Sequence, residues 1–255
     1  MIRPRLLLIT VLFLLAAASP ARKHYYWFPA TTDAKPRPWA VLLPRAEGLG
    51  TLAGGNQYRD LAQWLNARGI DALVVDYARA AALVPSAKGK TGPKIAAIVT
   101  DALADAREQR RMDMRCAGVV IGWSRGGEGA LTLVSAAERG MTGVRAAVVY
   151  YPSVRGQERP WRQLHPVLAL QGEADRIAPA AALRKLAEGR QPAAMPFEIH
   201  FYPGAKHRFD VAHPVDDPAG KTPADFDARA HADALAAIGV FLDRFSIGTG
   251  GCALD

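Results

Sequence analysis

One serine of this chain stands where it could act as a nucleophile. Gly122-Trp123-Ser124-Arg125-Gly126-Gly127 follows an apolar run ending at Ile121 and precedes a stretch with helical spacing, the strand–turn–helix context that a G-x-S-x-G motif needs. Side chains two residues before or after the serine would collide with the neighbouring strand or helix, so glycines fill those places. The tight turn lifts the hydroxyl above the sheet edge and aims the first backbone N–H groups of the helix at the same spot. With six serines and 23 glycines in 255 residues, about 0.05 such matches arise by chance.

A serine hydroxyl is a weak nucleophile and needs a base, usually a histidine oriented by a carboxylate. In this kind of motif the order is serine, acid, histidine, and the chain supplies both later members. Gln171-Gly-Glu-Ala-Asp175-Arg-Ile-Ala-Pro179 follows one apolar run, and Pro203-Gly-Ala-Lys-His207 follows another. Asp175 competes with Glu173. Asp175 is favoured because the loop needs a few residues to reach the histidine, with Ile177 and Pro179 as its packing anchor. His207 is preferred over His213, while His24, His165, His200 and His231 read as ordinary core or surface residues. Asp210, Asp216 and Asp217 read as solvated. His207 and His213 are six apart and lack helical ligand spacing, so no metal is expected, and hydrolysis by a serine, histidine and carboxylate needs no cofactor.

Acyl transfer develops an oxyanion that needs two donors. The backbone N–H of Arg125 is one candidate, and that of Ala46, in the loop Pro44-Arg-Ala-Glu-Gly-Leu-Gly50, is the other. Substrate-pocket candidates are Trp123, Tyr151, Trp161 and His165. The Arg125 side chain could meet a substrate carboxylate, but reads better as a salt-bridge partner at the helix start.

These residues require a scaffold that brings strand ends together. Apolar runs at 39–43, 72–75, 117–121, 144–150, 167–170 and 197–202 read as strands buried on both faces. Stretches 57–68, 95–111, 127–139, 180–187 and a long segment within 223–245 carry helical spacing. Their alternation predicts an α/β fold: a mostly parallel, doubly wound sheet with helices on both faces in a single domain. Ligands then bind beyond the carboxyl ends of the strands. The domain is expected over 39–246, after an N-terminal segment 22–38 and before a flexible tail 247–255.

Half of the residues are hydrophobic, which excludes a disordered chain. Arg3 and Arg5 precede a 13-residue run from Leu6 to Ala18, and small residues follow to Ala21. This is the pattern of a signal peptide over 1–21, too short to span a bilayer comfortably, so an exported, periplasmic or secreted protein is expected; an uncleaved membrane anchor is the alternative. Cleavage after Ala21 removes two arginines and no acids, lowering the formal charge from +8 to +6. The densest basic stretch is Arg107, Arg110, Arg111 and Arg115 at a predicted helix end. No basic run is interleaved with aromatics, so nucleic acid is not an expected partner. Cys116 opens an apolar stretch and reads as a free buried thiol; a bridge to Cys252 is the alternative in an oxidising compartment.

Taken together these motifs resemble the dienelactone hydrolase family of α/β-hydrolases. The resemblance runs from about Trp39 to Phe245. It rests on the glycine loop after the first strand, Gly-Ile-Asp-Ala-Leu-Val-Val-Asp-Tyr (69–77), Gly-Trp-Ser-Arg-Gly-Gly, Gly-Glu-Ala-Asp-Arg-Ile-Ala-Pro and Tyr-Pro-Gly-Ala-Lys-His. It implies a serine esterase of small-molecule substrates, with Ser124, His207 and Asp175 as triad. There are two departures: the namesake enzymes use a cysteine where this chain has Ser124, and a glutamate where it has Arg45. A non-catalytic binding protein and a small serine peptidase are the competing readings of the same scaffold.

Overall fold

In a parallel sheet covered on both sides, strand residues are buried whichever way they point, and the runs at 39–43, 71–75, 118–123 and 167–172 are buried throughout. The run at 197–202, expected to be buried on both faces, is instead mostly half-buried with His200 exposed, because it forms the edge of the sheet. The computed structural model describes residues 24–32, 36–50, 52, 56–81, 90–113, 115–135, 143–192, 195–213, 223–248 and 252. Among these, seven strands form one sheet: β1 (Tyr25–Phe28), β2 (Trp39–Leu43), β3 (Asp71–Val75), β4 (Gly118–Trp123), β5 (Val144–Tyr150), β6 (Val167–Gly172) and β7 (Phe197–Tyr202). Their spatial order is β1-β3-β2-β4-β5-β6-β7, all parallel except β1, which pairs antiparallel with β3 at the edge. The helices among the described residues are α1 (Gln57–Asn66), α2 (Tyr77–Ala80), α3 (Thr91–Glu108), α4 (Arg125–Leu133), α5 (Ala180–Glu188) and α6 (Ala228–Arg244).

One side chain parity of β2, Val41 and Leu43, belongs to the core on the face of the sheet that also holds Ile95 and Val99 of α3, Leu131 of α4 and Leu183 of α5. The other parity, Ala40 and Leu42, packs with α1 and α6 through Tyr58, Leu61, Ile238 and Phe241. Each fully buried Leu or Val contributes about 1.5–3 kcal/mol, so the two layers lock the sheet between them. This is the expected single-domain, doubly covered α/β architecture.

Chain order places the site. From β2 the chain moves to β3 on one side, then crosses back to β4 on the other. The crevice beyond the carboxyl ends of β2 and β4 is therefore the switch point, where the loops diverge. Three further details differ from the sequence expectations. β1 and α2 are additional elements, too short for periodicity to reveal. α3 and α4 begin four and two residues earlier than expected, at Thr91 and directly after Ser124, and α3 ends at Glu108, three residues short of the expected 111, while 136–139 lie outside the described residues.

The third difference concerns the cysteines: Cys116 is not a free thiol but is disulfide-bonded to Cys252. The tail returns as an isolated antiparallel bridge beside Cys116, and Ile247 is buried in the α1–α6 layer, so the end of the chain is tied at both points. Among the described residues no helix is long and apolar enough to cross a membrane. The expected signal peptide lies outside the described residues.

Candidate active site

Ser124 occupies the N-cap position of α4, with φ 51° and ψ −109°. A positive φ is costly for a residue with a side chain, and such strain persists only where surroundings over-determine it. Here the Ser124 N–H donates to the Tyr150 carbonyl (2.9 Å), and the Ser124 carbonyl accepts from Ser153 N–H (2.9 Å) and Glu128 N–H (3.2 Å). A serine at this position ordinarily caps its helix, yet this one makes no side-chain cap bond, which leaves Oγ for other work. The glycines are required by contact. A Cβ on Gly122 would lie 2.4 Å from the Gly126 carbonyl oxygen, and one on Gly126 would lie 2.1 Å from that of Leu43. The turn after β4 thus packs directly on the end of β2.

His207 and Asp175 meet. Nδ1 of His207 is 2.7 Å from Oδ2 of Asp175, and both side chains are buried. The other oxygen, Oδ1, accepts from the backbone N–H groups of Ile177 (2.8 Å) and Ala178 (2.9 Å). Burial alone would raise the Asp175 pKa, but the His207 bond and these backbone donors outweigh it and hold the carboxyl below its usual range. An ionised Asp175 accepts, so Nδ1 of His207 carries the proton and Nε2 is the basic nitrogen. Glu173, the competing acid, is instead an exposed ion-pair partner of Arg184 at 2.5 Å, and His213 is exposed.

The loop after β2 is held tightly. Arg45 N–H donates to Tyr58 Oη (3.0 Å), and Tyr77 Oη donates to the carbonyls of Pro44 and Arg45, each at 2.9 Å. Gly48 N–H closes a turn on the Arg45 carbonyl (3.1 Å), with the exposed Ala46 inside it. The Arg125 N–H belongs to the first turn of α4, where N–H groups have no acceptor within the helix. The Arg125 side chain is exposed and forms no salt bridge among the described residues, contrary to the expected ion pair.

The four pocket candidates separate. Tyr151 is buried with its ring 4.4 Å from that of His207, and Trp123 stacks on Tyr150 at 5.2 Å, beneath the turn. Trp161 and His165 lie elsewhere. Trp161 donates to Ser135 Oγ (2.7 Å) near the far end of α4 and pairs with Arg190 beyond α5. His165 precedes β6 at its amino end, where burial and Arg145 lower its pKa. Strands of a parallel sheet have two ends, and the loop from β5 to β6 travels from one to the other.

One acid departs from its expected place. Asp210 is not solvated but buried, accepting from Trp123 Nε1 and Tyr151 Oη, both at 2.7 Å. Its only sequence signal is its position three residues after His207. Among the described residues no cluster of His, Cys, Asp and Glu could hold a metal ion.

The profile of the dienelactone hydrolase family matches residues 30–246. The chain belongs to the dienelactone hydrolase family. By that membership it is a carboxylic-ester hydrolase, since the family is named for opening a lactone, a cyclic ester.

Solved structures agree in fold. Esterase 2 of the planctomycete Thermogutta terrifontis, bound to propionate, is 19% identical with a TM-score of 0.60, over 88% of this chain and 90% of that one. The same esterase phosphorylated by paraoxon is 21% identical with a TM-score of 0.62, over 88% and 89%. A Klebsiella pneumoniae protein assigned to the dienelactone hydrolases is 18% identical with a TM-score of 0.64, over 87% and 92%. No curated protein is similar enough in sequence to match.

Proposed function

We propose that this dienelactone hydrolase family member is a serine esterase that works through an acyl-enzyme on Ser124, His207 and Asp175, and that it acts outside the cytoplasm. The observation that carries the reading is the 2.7 Å His207–Asp175 pair on loops of the same sheet end as the strained, uncapped Ser124. With Nδ1–H given to Asp175, Nε2 takes the Ser124 proton as Oγ attacks the ester carbonyl. The N–H groups of Arg125 and Ala46 stabilise the tetrahedral oxyanion. The protonated imidazole then returns its proton to the departing alcohol. Water, deprotonated by the same nitrogen, attacks the acyl-enzyme; as the bond to Ser124 Oγ breaks and the acid leaves, the imidazolium returns its proton to Oγ.

Export is supported by the leader-like residues 1–21 and by the Cys116–Cys252 disulfide, a bond that persists in oxidising compartments. The propionate-bound and paraoxon-phosphorylated states of the Thermogutta esterase suggest short acyl esters and organophosphates as first probes. The deciding experiment is hydrolysis of short and long p-nitrophenyl esters, with fluorophosphonate labelling alongside. Ser124→Ala and His207→Ala should each lose at least about a thousandfold in turnover, and Ser124→Ala should not be labelled. A fall of only a few-fold would defeat the reading.

A further inference from the structure

We propose that Asp210 is a positioning residue of this esterase site: its carboxylate fixes the His207 loop against the nucleophile turn. The proposal rests on the esterase reading above. Oδ2 accepts from Trp123 Nε1 and Oδ1 from Tyr151 Oη, each at 2.7 Å. Trp123 is the last residue of β4, next to Ser124. Tyr151 directly follows β5, and its ring lies 4.4 Å from that of His207. Asp210 sits three residues beyond His207. One carboxylate therefore ties together the strand of the candidate nucleophile, the neighbouring strand end and the loop of the candidate base.

Two features show that this clamp holds a defined geometry. Tyr151 has φ 35° and Ser124 φ 51°, so two strained residues lie side by side where β4 and β5 end. Burial pushes the Asp210 carboxyl above its usual range, although Tyr151, Trp123 and the charge of Arg45 each oppose it. A buried carboxylate is a costly way to fill space, and what offsets that cost here is that it satisfies two buried donors, Trp123 Nε1–H and Tyr151 O–H. It also supplies direction, because Trp123 Nε1 can only donate and the carboxylate fixes both donors at once. Small displacements of catalytic groups are expensive in rate: misplacement by about 1 Å can cost a hundredfold.

The test measures kcat and KM on a p-nitrophenyl ester, with enzyme counted by fluorophosphonate-labelled sites so that only folded molecules contribute. Asp210→Ala should lower kcat at least about tenfold with KM changed less than about threefold. Asp210→Asn should return kcat to within about threefold of wild type, because its oxygen can accept from Trp123 while its amide donates to Tyr151 Oη. Tyr151→Phe should cost several-fold, and adding Asp210→Ala to it should cost less than Asp210→Ala alone, as members of one network are not additive. Wild-type kcat in Asp210→Ala, or a loss confined to KM, overturns the proposal. If Asp210→Ala does not fold, Trp123→Phe and Tyr151→Phe decide, and wild-type kcat in both overturns it. Failure of the esterase reading looks different: wild type would neither turn over ester nor label, or Ser124→Ala would keep full turnover, and the clamp would fall with it.

Discussion

Asp175 and Asp210 are two buried carboxylates within one site, and their surroundings push them in opposite directions. Asp175 has His207 and two backbone N–H groups that outweigh its burial and is held low; burial pushes Asp210 high, and its neutral donors Tyr151 and Trp123 and the charge of Arg45 do not offset it. The difference suits their proposed roles, one an ionised orienter of imidazole and the other a clamp. Asp175→Asn should retain the fold yet lower kcat by about four orders of magnitude, because an amide favours the wrong imidazole tautomer; circular dichroism beside ester turnover checks both halves. A depressed carboxyl pKa contributes stability that is present above the unfolded value of about 3.9 and is lost as pH falls through the folded one. Unfolding midpoints of wild type and Asp175→Asn should therefore converge below about pH 4. A gap that persists unchanged to pH 2 would show that the carboxylate is not what the fold favours.

At the scale of elements, the turn between β4 and α4 carries the greatest constraint. Gly122 and Gly126 face backbone, not flexible side chains, so neither neighbour can yield cheaply. Gly126→Ala forces the Leu43 and Pro44 carbonyls away from a Cβ that would otherwise sit 2.1 and 2.4 Å from them. The expected cost is about 1–3 kcal/mol, read in denaturant unfolding, with a larger loss in kcat because the loop bearing Ala46 moves too. By contrast, Gly204 has φ 76°, and a Cβ added there would meet nothing within 4 Å, so substitution acts through backbone strain alone. The glycines of the β4–α4 turn were legible in sequence through the motif around Ser124. The role of Glu128 was not: it is a buried residue of α4 that accepts from Ser153 Oγ at 2.7 Å, a contact 25 residues apart that no local pattern announces.

Across the whole molecule, the disulfide joins the amino end of β4 to a tail 136 residues later. It lies at the opposite end of β4 from Ser124, so it bears on stability and not on chemistry. Closing a loop of that length should be worth about 2–5 kcal/mol. Replacing both cysteines by alanine should lower the unfolding free energy by that amount and leave kcat per folded molecule unchanged; wild type in reductant should behave alike. If the chain is exported as proposed, mass spectrometry of the mature protein should find an N-terminus just after Ala18 or Ala21. Recovery of only the intact chain from the periplasm or medium would count against cleavage.

The fold class, the strand–turn–helix around Ser124 and the candidates Asp175 and His207 were all readable in the linear chain. Each depends on local pattern: runs of apolar residues, glycine at fixed offsets, and polar residues placed directly after a strand. Which acid meets His207, which end of the sheet Trp161 and His165 occupy, that Cys116 and Cys252 pair, and that Asp210 is buried were decided by the folded molecule. Those outcomes depend on the order in which strands lie side by side and on where loops return. Contacts between residues tens of positions apart are set by that packing, and residue type alone does not encode them.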